Sequence, residues 1–121
     1  SNSGAQNTPL ATIQYAIDQV RDGGVVRVQP GTYTGNITFR GKNVTVESTT
    51  GREFTIIDGQ KETRGVIFKN GETREAKLIG FTIQNGSAKH RMGGAVFISG
   101  SNPSIIDCKF YYNRCWYWNI D

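Results

Sequence analysis

The run "SIIDCKFYYN", residues 104–113, sets a carboxylate, Asp107, two positions before an amine, Lys109. Side chains two apart share one face of an extended strand, so this pair has the types and spacing of a metal ligand beside a general base. Tyr111 follows on the same strand, and Glu47 and Gln84 occupy matching places in two earlier runs, "NVTVES" (43–48) and "LIGFTIQNG" (78–86). A carboxylate, an amide, a phenol and an amine on one flat face suit a sugar chain, held by hydrogen bonds and ring stacking. The plainer reading of the same residues is a solvated strand face of mixed charge, which needs no ligand.

A second grouping lies in "GSAKHRMGG" (86–94), where Lys89, His90 and Arg91 are consecutive. Their charges suit a carboxylated sugar or a phosphate, although a single histidine in a glycine-flanked polar loop is ordinarily just solvated. His90 is the sole histidine, so a Ser/His/Asp set does not arise. The two cysteines, Cys108 and Cys115, form neither a disulfide framework nor a metal-binding Cys/His pattern. The glycines make no strand–loop–helix phosphate cradle. Asp58 in "IIDGQ" is expected to bond its own backbone in a turn rather than to hold a ligand. No resident metal or cofactor is expected from these residues.

Positioning such groups is the task of a chain of 121 residues, enough for one domain with a modest core. Fourteen Lys and Arg against ten Asp and Glu leave a net charge of +4, a mild bias towards acidic partners. The basic residues form no stripe with interleaved aromatics, so no nucleic-acid partner is expected. No stretch approaches the ~20 apolar residues of a membrane span, and none is expected. The opening "SNSGAQN" is polar and lacks the charged-then-apolar pattern of a secretory signal. Asn36, Asn43 and Asn85 each begin an Asn-X-Ser/Thr triplet beside a turn, where these residue types are favoured without any glycan.

One helix is expected, over 9–22, with Thr8 as N-cap, Pro9 in the first position and Asp22-Gly23-Gly24 as the stop. Leu10, Ile13, Ile17 and Val20 recur on one face of it. Beyond Gly24 only short alternating runs occur: "VVRV" (25–28), "NITF" (36–39), "NVTV" (43–46), "TII" (55–57), "GVIF" (65–68), "LIGFTI" (78–83), "AVFI" (95–98) and "SIIDCKF" (104–110). Gly, Asn, Asp or Pro separates nearly every pair, as between strands.

A repeat organises these strands. A constant shift of 27 sets Ile79 on Ile106, Phe81 on Cys108, Ile83 on Phe110 and Asn85 on Tyr112. "NVTVES" fits the same frame with Val44 on Phe81 and Val46 on Ile83, and "NITF", "GVIF" and "AVFI" form a companion series. Strand, turn, strand, turn, repeated at a few tens of residues, implies stacked turns of a parallel solenoid. "AVFI" and "SIIDCKF" are then expected to lie on "GVIF" and "LIGFTI". If Val44, Val46, Phe81, Ile83, Cys108 and Phe110 point inward, Thr45–Thr82–Lys109 and Glu47–Gln84–Tyr111 form outward columns, flanked by Asp107 above Gly80.

The run "TIQYAID…GGVVRVQPGTYTGNITFRGKNVTVES…TIIDG" resembles the start of right-handed parallel β-helix proteins of the pectate-lyase-like superfamily. There a short helix caps the first coil and a Pro-Gly-Thr-Tyr turn follows the first strand. "GGAVFISGSNPSIIDCKFYYNR" is similar to the repeat unit of the same proteins, including NosD-type repeats and bacterial adhesins. The resemblance spans residues 10–114, with its opening segment closest to pectin esterases, and implies an all-β, right-handed parallel β-helix of three to four coils. The implied layout is a single domain over 1–121, with a cap helix over 8–24, coils over 25–114 and an aromatic tail over 115–121. An extracellular or cell-surface setting also comes from the resemblance. Esterases and lyases of the superfamily carry their catalytic residues in later coils, which find no matching motif here.

The leading expectation is therefore a binding module for acidic polysaccharide, with Glu47, Gln84, Asp107, Lys109 and Tyr111 as ligand contacts. One alternative is a minimal polysaccharide lyase with Asp107 as calcium ligand and Lys109 as base. The other is a self-associating structural unit. In that case the last coil, ending near Phe110 to Asn113, meets a second copy, with Tyr112, Trp116, Tyr117 and Trp118 at the centre of a homodimer.

Overall fold

The computed structural model describes the backbone of residues 12–89 and 93–116, and the side chains of 12–88 and 93–114. It is mostly β, with one short helix and strands in parallel sheets. Helix α1 runs Ile13–Gln19, starting because Thr12 is extended (φ −95, ψ 164) and its hydroxyl accepts the Tyr15 N–H. Thr8 and Pro9 lie outside the described residues. The C-terminal stop comes earlier than expected, at Val20, whose backbone is extended before the glycines are reached. Ile13 and Ile17 are buried, and the helix rests on the first and third strands.

The strands, in chain order, are β1 (Val25–Val28), β2 (Gly31–Thr34), β3 (Ile37–Thr38), β4 (Thr45–Ser48), β5 (Thr55–Asp58), β6 (Val66–Phe68), β7 (Lys77–Ile79), β8 (Thr82–Gln84), β9 (Ser87–Lys89), β10 (Val96–Ile98), β11 (Ser104–Ile106), β12 (Lys109–Tyr111) and β13 (Arg114–Trp116). They form sheets in the orders β1-β4-β7-β11, β2-β5-β8-β12, β3-β6-β10 and β9-β13. The chain visits the first, second and third sheets in turn and then returns to the first, so each strand of these sheets after β3 pairs with its counterpart in the preceding pass. All of these pairings are parallel.

As expected, the strand in "AVFI" lies on that in "GVIF", and those in "SIIDCKF" lie on those in "LIGFTI". The 27-residue shift is the register of both β11 on β7 and β12 on β8. Two features differ. "LIGFTI" and "SIIDCKF" are each broken into two strands of different sheets, because Gly80 (φ 81) and Asp107 (φ 53) adopt the left-handed conformation and turn the chain. The stretch expected as a Pro-Gly-Thr-Tyr turn is strand β2, paired with β5, with Tyr33 packed against the core and donating its hydroxyl to Gln29 O at 2.7 Å.

Inward positions stack into apolar columns through the passes. Val26, Val46 and Leu78 follow one another in the first sheet, Ile57 and Ile83 in the second, and Ile37 and Val66 in the third; all are buried. The rings of Phe39 and Phe68 stack at 4.4 Å between centroids. Each fully buried side chain of this size contributes about 1.5–3 kcal/mol, so the columns carry most of the favourable free energy of folding. At the corner after the second sheet, the backbone comes too close to itself for side chains. A Cβ on Gly86 would sit 2.1 Å from Gly94 O, and one on Gly59 would sit 2.4 Å from Thr63 O.

Polar side chains tie the passes together. The amide of Gln14 accepts the Thr38 N–H at 2.8 Å and donates to Thr38 O at 2.9 Å, so it supplies to β3 the bonds that a neighbouring strand would supply. The Lys42 ammonium donates to three carbonyls at the end of α1, those of Ile17, Asp18 and Val20. No helix of the described residues is long and apolar enough to cross a membrane.

Candidate functional site

The outer face of the second sheet carries the row Thr34, Asp58, Gln84, Tyr111, one residue per pass. Alternation places these residues outward because their neighbours Ile57 and Ile83 are in the core. Asp58 bonds its own turn, accepting from Gln60 N at 2.7 Å, and also accepts from Gln84 Nε2 at 3.1 Å and Asn85 Nδ2 at 3.3 Å. Partial burial alone would raise its pKa. The Gln84, Gln60 and Asn85 hydrogen bonds and the nearby Lys61 charge outweigh that, and the carboxyl lies below its usual range.

Gln84 is thereby oriented by Asp58, and the row ends in aromatics. The Lys109 ammonium lies 5.3 Å from the centroid of the Tyr111 ring, and the Tyr111 and Tyr112 rings lie 4.2 Å apart, tilted by 43°. Tyr112 adopts φ 55, which turns the chain off the sheet and leaves its side chain 74% exposed. The hydrogen bond with Tyr112 raises the pKa of the Tyr111 hydroxyl.

Around that turn lies a cleft of about 460 Å³, lined by Lys61, Asn85, Ser87, Tyr112, Asn113 and Arg114. Its walls are successive passes of one corner. Asn113 is fixed by accepting the Gly86 N–H and donating to Ile83 O, both at 2.8 Å. Lys61 is held in place through its backbone, whose N–H donates to Asn85 O at 2.7 Å. Ser87 is only 6% exposed, and its hydroxyl has no hydrogen-bond partner among the described residues. Among the described residues the lining carries two cations and no acid. Sequence reasoning did not single out Lys61, Ser87, Asn113 or Arg114. The signal was present, since the shift that sets Asn85 on Tyr112 also sets Ser87 on Arg114.

Other expected columns are redistributed. Gln84 and Tyr111 are adjacent, but Glu47 belongs to the first sheet, between Arg27 and Ile79, and accepts from Arg27 Nε at 3.1 Å. Val46 lies on Leu78 and not on Ile83, and Thr45 lies on Lys77. Thr82 and Lys109 are partners as expected, yet Thr82 is buried and donates to Arg52 O at 2.8 Å. Asp107 does not share a strand face with Lys109, because it occupies the bend between β11 and β12. Its carboxylate lies 3.2 Å from the Arg52 guanidinium. Phe110 lies in the core column over Ile83 yet is 51% exposed, Ile106 on the same pass is 44% exposed, and Ile98 at the end of the third sheet is 48% exposed.

Cys108 packs against the core, and burial pushes its thiol pKa up. The side chains of Lys89 and Trp116, and all of His90, Arg91, Tyr117 and Trp118, lie outside the described residues. No group of three His, Cys, Asp or Glu side chains suited to a metal occurs among the described residues. Comparison with family models, curated proteins and solved structures finds no match to this chain.

Proposed function

We propose that the chain is a right-handed parallel β-helix module, akin to the pectate-lyase-like superfamily, that binds an acidic polysaccharide along the outer face of its second sheet. The cyclic order of strands through the three sheets supports the solenoid reading. The observation that carries the binding reading is the adjacency of a Lys109–Tyr111–Tyr112 ledge to a cleft lined by Lys61 and Arg114. Rings stack on sugar faces, while amines and guanidinium groups pair with uronate carboxylates. Gln84, held by Asp58, supplies a fixed amide between them. The lyase alternative is less well supported, because Asp107 sits at a bend and is engaged by Arg52.

Calorimetric titration with galacturonate oligomers tests this reading. Binding that is absent with neutral oligosaccharides and weakened in Tyr111→Ala and Lys109→Ala is the expected result. No heat with either class of glycan overturns it.

A second reading is favoured by the exposure of Ile98, Ile106 and Phe110 on one end of the stack. β10, β11, β12 and β13 each end their sheets there, and an edge strand over an apolar column is a surface on which a second copy pairs. Light scattering of wild type and Phe110→Asp tests it: a dimer that the substitution splits is the expected result, and a folded wild-type monomer at high concentration removes it.

A further inference from the structure

We propose that the corner cleft is a pocket for one sugar-borne oxyanion, a carboxylate or a sulfate ester, seated between Lys61 and Arg114 with the Ser87 hydroxyl as a neutral donor. This rests on the acidic-polysaccharide reading and assigns to it the place where a charged group of the ligand is recognised.

Three observations converge on it. First, two cationic residues, Lys61 and Arg114, line the cleft, and none of its described lining residues is an acid. The Asp58 carboxylate, which feels the Lys61 charge, accepts hydrogen bonds from Gln84, Gln60 and Asn85. Second, the Ser87 hydroxyl is buried and has no partner among the described residues. Leaving such a group unpaired costs free energy that Ala at the same place would not cost, so its presence points to a bond made only with ligand. Third, the dimensions and walls exceed what a small inorganic ion fills. The volume of about 460 Å³, the 74% exposed Tyr112 ring and the amides of Asn85 and Asn113 fit a pyranose that carries its anion into the corner.

The walls are also preorganised. Asn113 and the Lys61 backbone are held by bonds between successive passes, and a Cβ on Gly86 would collide with Gly94. Little ordering is left to occur on binding.

The test is amide chemical-shift mapping of the whole chain with three monosaccharide probes: galacturonate, its methyl ester and galactose 6-sulfate. Galacturonate and the sulfate are expected to shift the amides of Gly86, Ser87 and Arg114, and the ester is not; equal shifts with both anions assign the pocket to any sugar oxyanion, and shifts with one alone identify its source. Lys61→Gln is expected to weaken binding about tenfold, the loss of one charge-assisted bond. Ser87→Ala is expected to weaken binding while leaving the melting temperature unchanged or raised, the opposite of what a structural hydroxyl would do.

Equal shifts with the ester, shifts confined to Lys109 and Tyr111, or unchanged affinity in Ser87→Ala overturns the pocket. The two readings fail separately. Oligomers that bind with full affinity to Lys61→Gln and Ser87→Ala remove the pocket and leave the polysaccharide face. Monosaccharide shifts at the pocket, with oligomers binding no tighter and indifferent to Tyr111→Ala, remove the face and leave the pocket.

Discussion

The Ser101 hydroxyl donates to the Glu72 carboxylate at 2.8 Å, joining residues of neighbouring passes. The same carboxylate accepts from Gly41 N at 2.8 Å and from Asn70 N at 2.9 Å, so one buried side chain holds three passes in register. Burial alone would raise its pKa, but the bonds from Gly41, Ser101 and Asn70 outweigh it, and the carboxyl lies below its usual range. A carboxyl depressed in the folded state stabilises it above the pH at which an unfolded glutamate titrates. That contribution is lost as pH falls through the folded value. Urea unfolding should therefore show stability falling as the pH is lowered from 5 to about 3. Glu72→Gln should lower stability by about 2–3 kcal/mol at neutral pH and flatten part of that acid slope.

Lys42 is the cap of α1 from outside the helix. An ammonium on three terminal carbonyls satisfies acceptors that the helix itself leaves unpaired, and it opposes the negative end of the helix dipole. Lys42→Met should cost about 1–2 kcal/mol by thermal or urea unfolding. Gln14→Leu should leave the helix formed but expose the edge of β3, measured as faster hydrogen exchange at the Thr38 amide.

Gly86 has no room for any side chain. Gly86→Ala would place a methyl 2.1 Å from Gly94 O, and only a backbone shift at the corner relieves it. Far-ultraviolet circular dichroism and solubility should show a chain that fails to fold or unfolds many degrees early, whereas Gly51→Ala, with open space around its Cβ, should cost only its left-handed backbone strain.

Cys108 is set for slow thiol chemistry. Its Sγ lies 3.6 Å from Leu78 O, and burial favours the neutral thiol. In a Cys115→Ser background, alkylation by iodoacetamide should be well below that of a small free thiol at pH 8, and should rise on adding urea.

The exposed Arg52–Asp107 pair should add little to stability, since both side chains are largely solvated. Asp107→Gly removes the pair but suits φ 53, and its melting temperature should stay close to wild type.

What the sequence made legible follows loop length. Two residues separate β7 from β8 and two separate β11 from β12, so a constant shift aligns both pairs of strands and places Tyr111 on Gln84. Between β4 and β5 the connection is longer, so setting Val46 on Ile83 takes a different shift and lands on the wrong sheet; Glu47 left its expected column for that reason. Alternation of apolar residues reports which side chains face inward, but not that Gly80 and Asp107 bend a run into two sheets. The corner cleft was hidden for a related reason. Asn85, Gly86, Ser87 and Asn113 are turn residues by type, and only the stacking of β13 on β9 shows that Ser87 and Arg114 share a wall.

Because α1 precedes β1 in the chain and Gln14 already meets β3, the covered side of the stack is completed by a segment that precedes its strands. Among the described residues every strand after β3 except β9 pairs with one synthesised before it. During translation each new layer thus finds a finished template waiting, and assembly proceeds in the direction of synthesis. The stretch exposed at any moment is limited to the newest edge, which keeps the long-range pairings of a parallel architecture from having to form all at once.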